Sequence, residues 1–64
     1  MQWADITDIA IELCDVYPEI DPLTVNFVDL RQWIITLPGF EGDPSHCGEK
    51  LLEAIQGAWI DERD

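Results

Sequence analysis

The sequence predicts a small all-α domain, made of three helices and one additional short helical turn. Three observations predict it. Apolar residues recur at helical spacing in three separate segments. Prolines and glycines punctuate the chain between those segments. No run alternates apolar and polar residues for long enough to make a half-buried strand, and Thr24–Val28 is the one candidate extended piece. The 64 residues make a single domain, 1–64. A chain of this size buries only ~60% of its unfolded surface. The composition is still that of a folded protein, with 47% hydrophobic residues and three tryptophans.

Helix 1 is predicted from Ile6 to Tyr17. Asp5 is placed to cap it, and Asp8 complements the dipole in the first turn. Ile6, Ile9, Ala10, Leu13 and Val16 form its dry side. Pro18 ends it, because a residue before proline avoids helical dihedrals. Trp3 is expected to pack on this helix. Asp21-Pro22 then starts a short turn within 19–25, Asp capping and Pro fitting the first position.

Helix 2 is predicted from Val28 to Leu37, with Asn26 or Phe27 at its start. Leu30, Trp33, Ile34 and Leu37 follow the i, i+3, i+4, i+7 pattern. Pro38-Gly39 breaks it, and the loop to Pro44 carries Phe40 as an anchor. Helix 3 is predicted from Pro44 or Ser45 to Asp61, with Leu51, Leu52, Ile55, Ala58 and Trp59 on its dry face. Gly48 shifts its regular start a few residues on, and an interior glycine costs ~1 kcal/mol relative to alanine. Trp33 and Trp59 are core anchors by this period. Arg31 lies off the apolar seam, either paired with an acid or pointing into an interface.

The charge is lopsided: 14 acids, 3 bases and a formal net charge of −11. Asp5, Asp8, Glu12 and Asp15 share one face of helix 1. Like charges one turn apart cost ~0.2–0.5 kcal/mol per pair, so folding alone does not favour such a stripe. A positive partner does, whether a basic protein surface or a hard cation suited to carboxylate oxygens. A solvated face is the plain alternative.

Several classes are excluded or disfavoured. Duplex binding relies on lysine and arginine neutralising phosphates, so nucleic acid is not an expected partner. No segment approaches the ~20 apolar residues of a membrane span. With no signal-peptide pattern, a cytoplasmic protein is the expectation, and the charge favours a monomer. Catalysis is not expected: His46 is the single histidine, and Ser45 and Cys47 cannot both face it. Glycine-rich phosphate loops and an EF-hand pattern are absent. Cys14 lies beside the dry side of helix 1 as a small buried thiol, and His46-Cys47 is a poor chelating pair. Asp21 and Asp43 precede prolines and read as caps before ligands.

Several segments resemble the IscX family of small acidic proteins of bacterial iron–sulphur cluster assembly. They are Trp3-Ala4-Asp5, Tyr17-Pro18-Glu19-Ile20-Asp21-Pro22, Val25-Asn26-Phe27-Val28-Asp29-Leu30 and Gln32-Trp33-Ile34. Asp43-Pro44, Glu49–Ile55 and Trp59-Ile60-Asp61-Glu62 continue it in order along nearly the whole chain. The resemblance implies a single IscX-like domain similar to a modified winged helix or helix-turn-helix. It implies docking on the basic surface of the cysteine desulfurase IscS, in competition with the frataxin homologue and ferredoxin. It also implies weak binding of Fe²⁺, and a regulator rather than an enzyme.

The acids matching the family pattern are Asp5, Asp8, Asp15, Asp21, Asp29, Asp43, Asp61 and Glu62, with Glu12 and Glu19 matching as acids. Candidate docking residues are Asp5, Asp8, Glu12, Asp15, Glu19 and Asp29. Candidate iron ligands are Asp5, Asp8, Glu12 and Asp15. One departure is Gly39-Phe40-Glu41-Gly42-Asp43, where the family pattern has a run of aspartates. If that loop supplies ligands, this chain binds iron more weakly. The leading reading is a desulfurase-docking regulator. An iron donor or iron sensor is the alternative, and an acidic DNA-mimic inhibitor ranks below both.

Overall fold

The computed structural model describes residues 1–63. It contains α1 (Ile6–Val16), α2 (Phe27–Ile35), a single 3-10 turn (Pro44–His46) and α3 (Glu49–Arg63). No strand is present among the described residues, so nothing there takes the part of a wing.

α1 begins where the sequence predicts, but not by the expected cap. Asp5 O accepts the first helical bond from Ile9 N at 2.9 Å, while the Asp5 carboxylate turns back to accept from Gln2 N at 2.8 Å. The side chain closes the turn that carries Trp3 and leaves the helix uncapped by a side chain. Tyr17 N donates to Leu13 O as α1 ends, one residue before the predicted end, ahead of Pro18. Val16, expected on the dry side, is therefore exposed at the last turn.

The turn expected within 19–25 is present but not helical. Thr24 N bonds Asp21 O at 3.0 Å, and the Asp21 carboxylate accepts from Leu23 N. Buried Pro22 is tied to α3 by Gln56 Nε2, which donates to its carbonyl at 2.7 Å.

At α2 the cap is conventional. Asn26 Oδ1 accepts from Asp29 N at 2.9 Å, and Asp29 accepts in return from Asn26 Nδ2 at 3.1 Å. The helix stops at Ile35, two residues before the predicted end. Leu37-Pro38-Gly39-Phe40 is a turn closed by Phe40 N on Leu37 O, with Gly39 at φ +81°. Proline second and a left-handed glycine third are what a type II turn requires.

The predicted third helix is split. Asp43 caps a lone 3-10 turn through Ser45 N, and Cys47 is extended, so α3 starts at Glu49 and runs to Arg63, past the predicted Asp61. The carbonyl of Pro44 would accept from Gly48 in a continuous helix. Here Arg31 of α2 takes it instead, at 2.9 Å. Arg31 also donates Nε to Cys47 Sγ at 2.9 Å. It thus follows neither of the two expectations for it, since it braces the joint between α2 and α3.

α1 and α3 make the most extensive helix pair. Their starts are joined by Trp3 Nε1 on Asp43 O, and their far ends by Arg63 on Ile20 O, so they run the same way. Ile9, Ala10 and Leu13, Leu30 and Ile34, and Leu52, Ile55 and Trp59 interlock between the three helices. Trp59 is fully buried, whereas Trp33 is half-buried, since it lies between Trp59 (6.3 Å) and Tyr17 (5.5 Å) near the surface.

Candidate docking face

The carboxylates fall into two groups. One group holds the backbone in place. Asp5, Asp21, Asp29 and Asp43 each accept at least one hydrogen bond from a neighbour within three residues. Asp43 takes two from Ser45, and these bonds hold its carboxyl below the usual carboxylate range. Asp21 also meets Arg63 at 3.5 Å, the one ion pair among the described residues.

The second group stands free of such bonds. On α1, Asp8 and Asp15 are exposed, and Glu12 is half-buried toward the core side of the same face. Asp5 is exposed at the foot of the helix with its carboxylate drawn back to Gln2. Of the six candidate docking residues, α1 thus brings Asp8, Glu12 and Asp15 together, with Asp5 at its start. Glu19 is exposed on the loop beyond α1, and Asp29 is fixed in the cap of α2.

Sequence periodicity missed one member of this face. Ile11 is 42% exposed, three residues after Asp8 and four before Asp15. Its place between two acids at helical spacing was the signal available. Cys14, one turn further on, is half-buried rather than fully enclosed. Burial pushes its thiol pKa up, and the nearby charge of Glu62 adds to that.

The candidate iron ligands do not form a closed site. Among the described residues, no three histidine, cysteine or carboxylate groups converge to hold an ion. Asp5, Asp8, Glu12 and Asp15 follow one another along a helix and offer pairs at most. The loop 39–43 presents no ligand set either. Phe40 packs edge-on against Trp3 at 4.8 Å, beside Gly42, and the Asp43 carboxylate is occupied by Ser45. A shallow groove of about 260 Å³ lies elsewhere, lined by Asp21, Pro22, Leu23, Ile60 and Arg63. No helix among the described residues is long and apolar enough to cross a membrane.

A family described as iron–sulphur cluster assembly matches residues 1–64. An uncharacterized protein of Pseudomonas aeruginosa is 58% identical over 64 residues, covering 100% of this chain and 97% of that one. Matched from end to end, the chain belongs to the IscX family of iron–sulphur cluster assembly proteins.

Proposed function

We propose that this protein is an accessory regulator of iron–sulphur cluster assembly that docks on the basic surface of the cysteine desulfurase IscS through α1. The observation that carries the reading is the unneutralised face of that helix. Asp8, Glu12 and Asp15 have no basic partner among the described residues, although the chain has two arginines and a lysine to offer. Arg31 is spent on Pro44 and Cys47, and Arg63 on Ile20 and Asp21.

Such a face acts first on encounter. Complementary charge raises the association rate and suppresses wrong partners, and the effect fades as salt shortens the Debye length to ~8 Å at physiological ionic strength. Once seated, the domain occludes the basic surface. It would then compete there with the frataxin homologue and ferredoxin, and so tune sulphur transfer without chemistry of its own.

The test is calorimetric titration into IscS at low and high salt, with Asp8→Lys/Glu12→Lys beside the wild type. Binding that weakens with salt and is lost on charge reversal supports the reading. Equal affinity for both proteins overturns it.

A further inference from the structure

Acidic side chains on a helix surface explain attraction better than retention. Exposed ion pairs contribute little each, because water and salt screen them and long side chains lose freedom on pairing. An interface that lasts has a desolvated apolar centre within a polar rim. The free face of α1 is laid out in that way.

Ile11 points to solvent from the middle of the stripe helix. Its neighbours one turn away are Asp8 and Thr7 on one side and Cys14 and Asp15 on the other. Asp8 and Asp15 are exposed, and the half-buried Cys14 thiol behaves as a small apolar group. The last turn of α3 brings Glu62 and Arg63 both within electrostatic reach of that thiol, so the edge of the face beyond Cys14 carries a charge of each sign. A singly exposed aliphatic residue is ordinary. One placed between acids that no basic side chain pairs with is not needed for folding, since the buried side of α1 already carries Ile9, Ala10 and Leu13.

We infer that Ile11, with Cys14 beside it, is the apolar centre of the docking face, rimmed by Asp8 and Asp15. Its occupant is a protein surface that presents an apolar side chain ringed by lysines or arginines. The choice of a protein rests on charge complementarity together with the apolar centre: a bare cation or a polycation would have no use for Ile11. This deepens the docking reading above and rests on it. Charge then sets how fast the complex forms, and Ile11 sets how long it lasts.

The test measures association and dissociation rates on immobilised IscS across a salt series, for the wild type, Ile11→Ala, Ile11→Leu and Asp8→Asn/Asp15→Asn. Ile11→Ala should dissociate about tenfold faster at every salt concentration, with an unchanged salt slope. Ile11→Leu, which keeps the apolar bulk, should stay within about twofold of the wild type. The double asparagine variant should associate more slowly and lose part of its salt dependence. Thermal unfolding of each variant separates a lost contact from a lost fold. Salt-sensitive wild-type binding with an unchanged Ile11→Ala dissociation rate overturns the apolar centre and leaves the docking reading standing. No wild-type binding at any salt overturns both.

Discussion

The indole Nε1 of Trp3 donates to the main-chain oxygen of Asp43 at 2.6 Å, across 40 residues of sequence. This bond joins the strip of chain before α1 to the strip before α3. Around it, Phe40 meets the indole edge-on, and Glu41 N donates to Met1 O at 2.7 Å. Trp3→Phe keeps most of the apolar body and loses the donor, so urea unfolding should show a loss of about 1–2 kcal/mol. Trp3→Ala should cost about 3–5 kcal/mol, comparable with the whole stability of a domain this small. An unchanged midpoint for Trp3→Phe would show that the bond contributes nothing.

Gly42 is required by the same cluster. A Cβ there would stand 2.5 Å from Phe40 Cζ and 2.9 Å from Trp3 Cδ1. Gly42→Ala should destabilise by about 1–3 kcal/mol through overpacking. Adding Phe40→Leu should recover part of that loss, which a double-mutant cycle in urea would read directly.

Gly57 is the opposite case. It sits inside α3, and a Cβ there would meet nothing within 4 Å. Gly57→Ala should raise stability by about 1 kcal/mol. Thermal unfolding checks this, and a lower midpoint would reveal a contact that the isolated chain does not show.

Asp43 gives the acid-side prediction. Its folded pKa is lowered by the two hydrogen bonds from Ser45, so the unfolded chain takes up this proton more readily. The contribution is complete above the ordinary carboxylate pKa and disappears as pH falls through the lower folded value. Asp43→Asn has no such titration. The gap in midpoint between wild type and variant should therefore be widest near neutrality and close on acidification. Relief of the self-repulsion of a −11 chain acts on both proteins and cancels in the comparison. A gap that widens toward low pH would contradict the assignment.

Iron should report the lack of a closed site. Fe²⁺ added anaerobically should broaden NMR signals weakly along the Asp8, Glu12 and Asp15 turns, with saturation only well above equimolar metal. Sharp loss of signals around one spot at equimolar iron would show that carboxylates gather on binding.

Much of the fold was legible because the period of Leu52, Ile55 and Trp59, and of Ile9 and Leu13, is a direct record of burial. Pro18 and Pro38-Gly39 marked helix ends to within two residues, since both act through local dihedrals. The break at Cys47-Gly48 was only partly legible: Gly48 hinted at a later start, but the cause lies with Arg31, 13 residues before Pro44 and on another helix. The acid spacing of α1 could be read from sequence. Which carboxylates are occupied could not, because Asp5 looks like a cap and instead bonds backward to Gln2. Ile11 is not legible from periodicity, which sorts residues by the side they share; an apolar residue on the wet side breaks that sorting.

The two ends of the α1–α3 pair are held by contacts that span 40 and 43 residues. A helical domain usually gathers its structure from near neighbours and folds fast. Here α1 cannot pair with α3 until the intervening loops and α2 have been made, so part of its apolar side lacks its main cover until α3 arrives. The pairing of α1 with α3 is thus a late, long-range event rather than the stacking of successive hairpins, and the slow step should be the docking of α3 along α1.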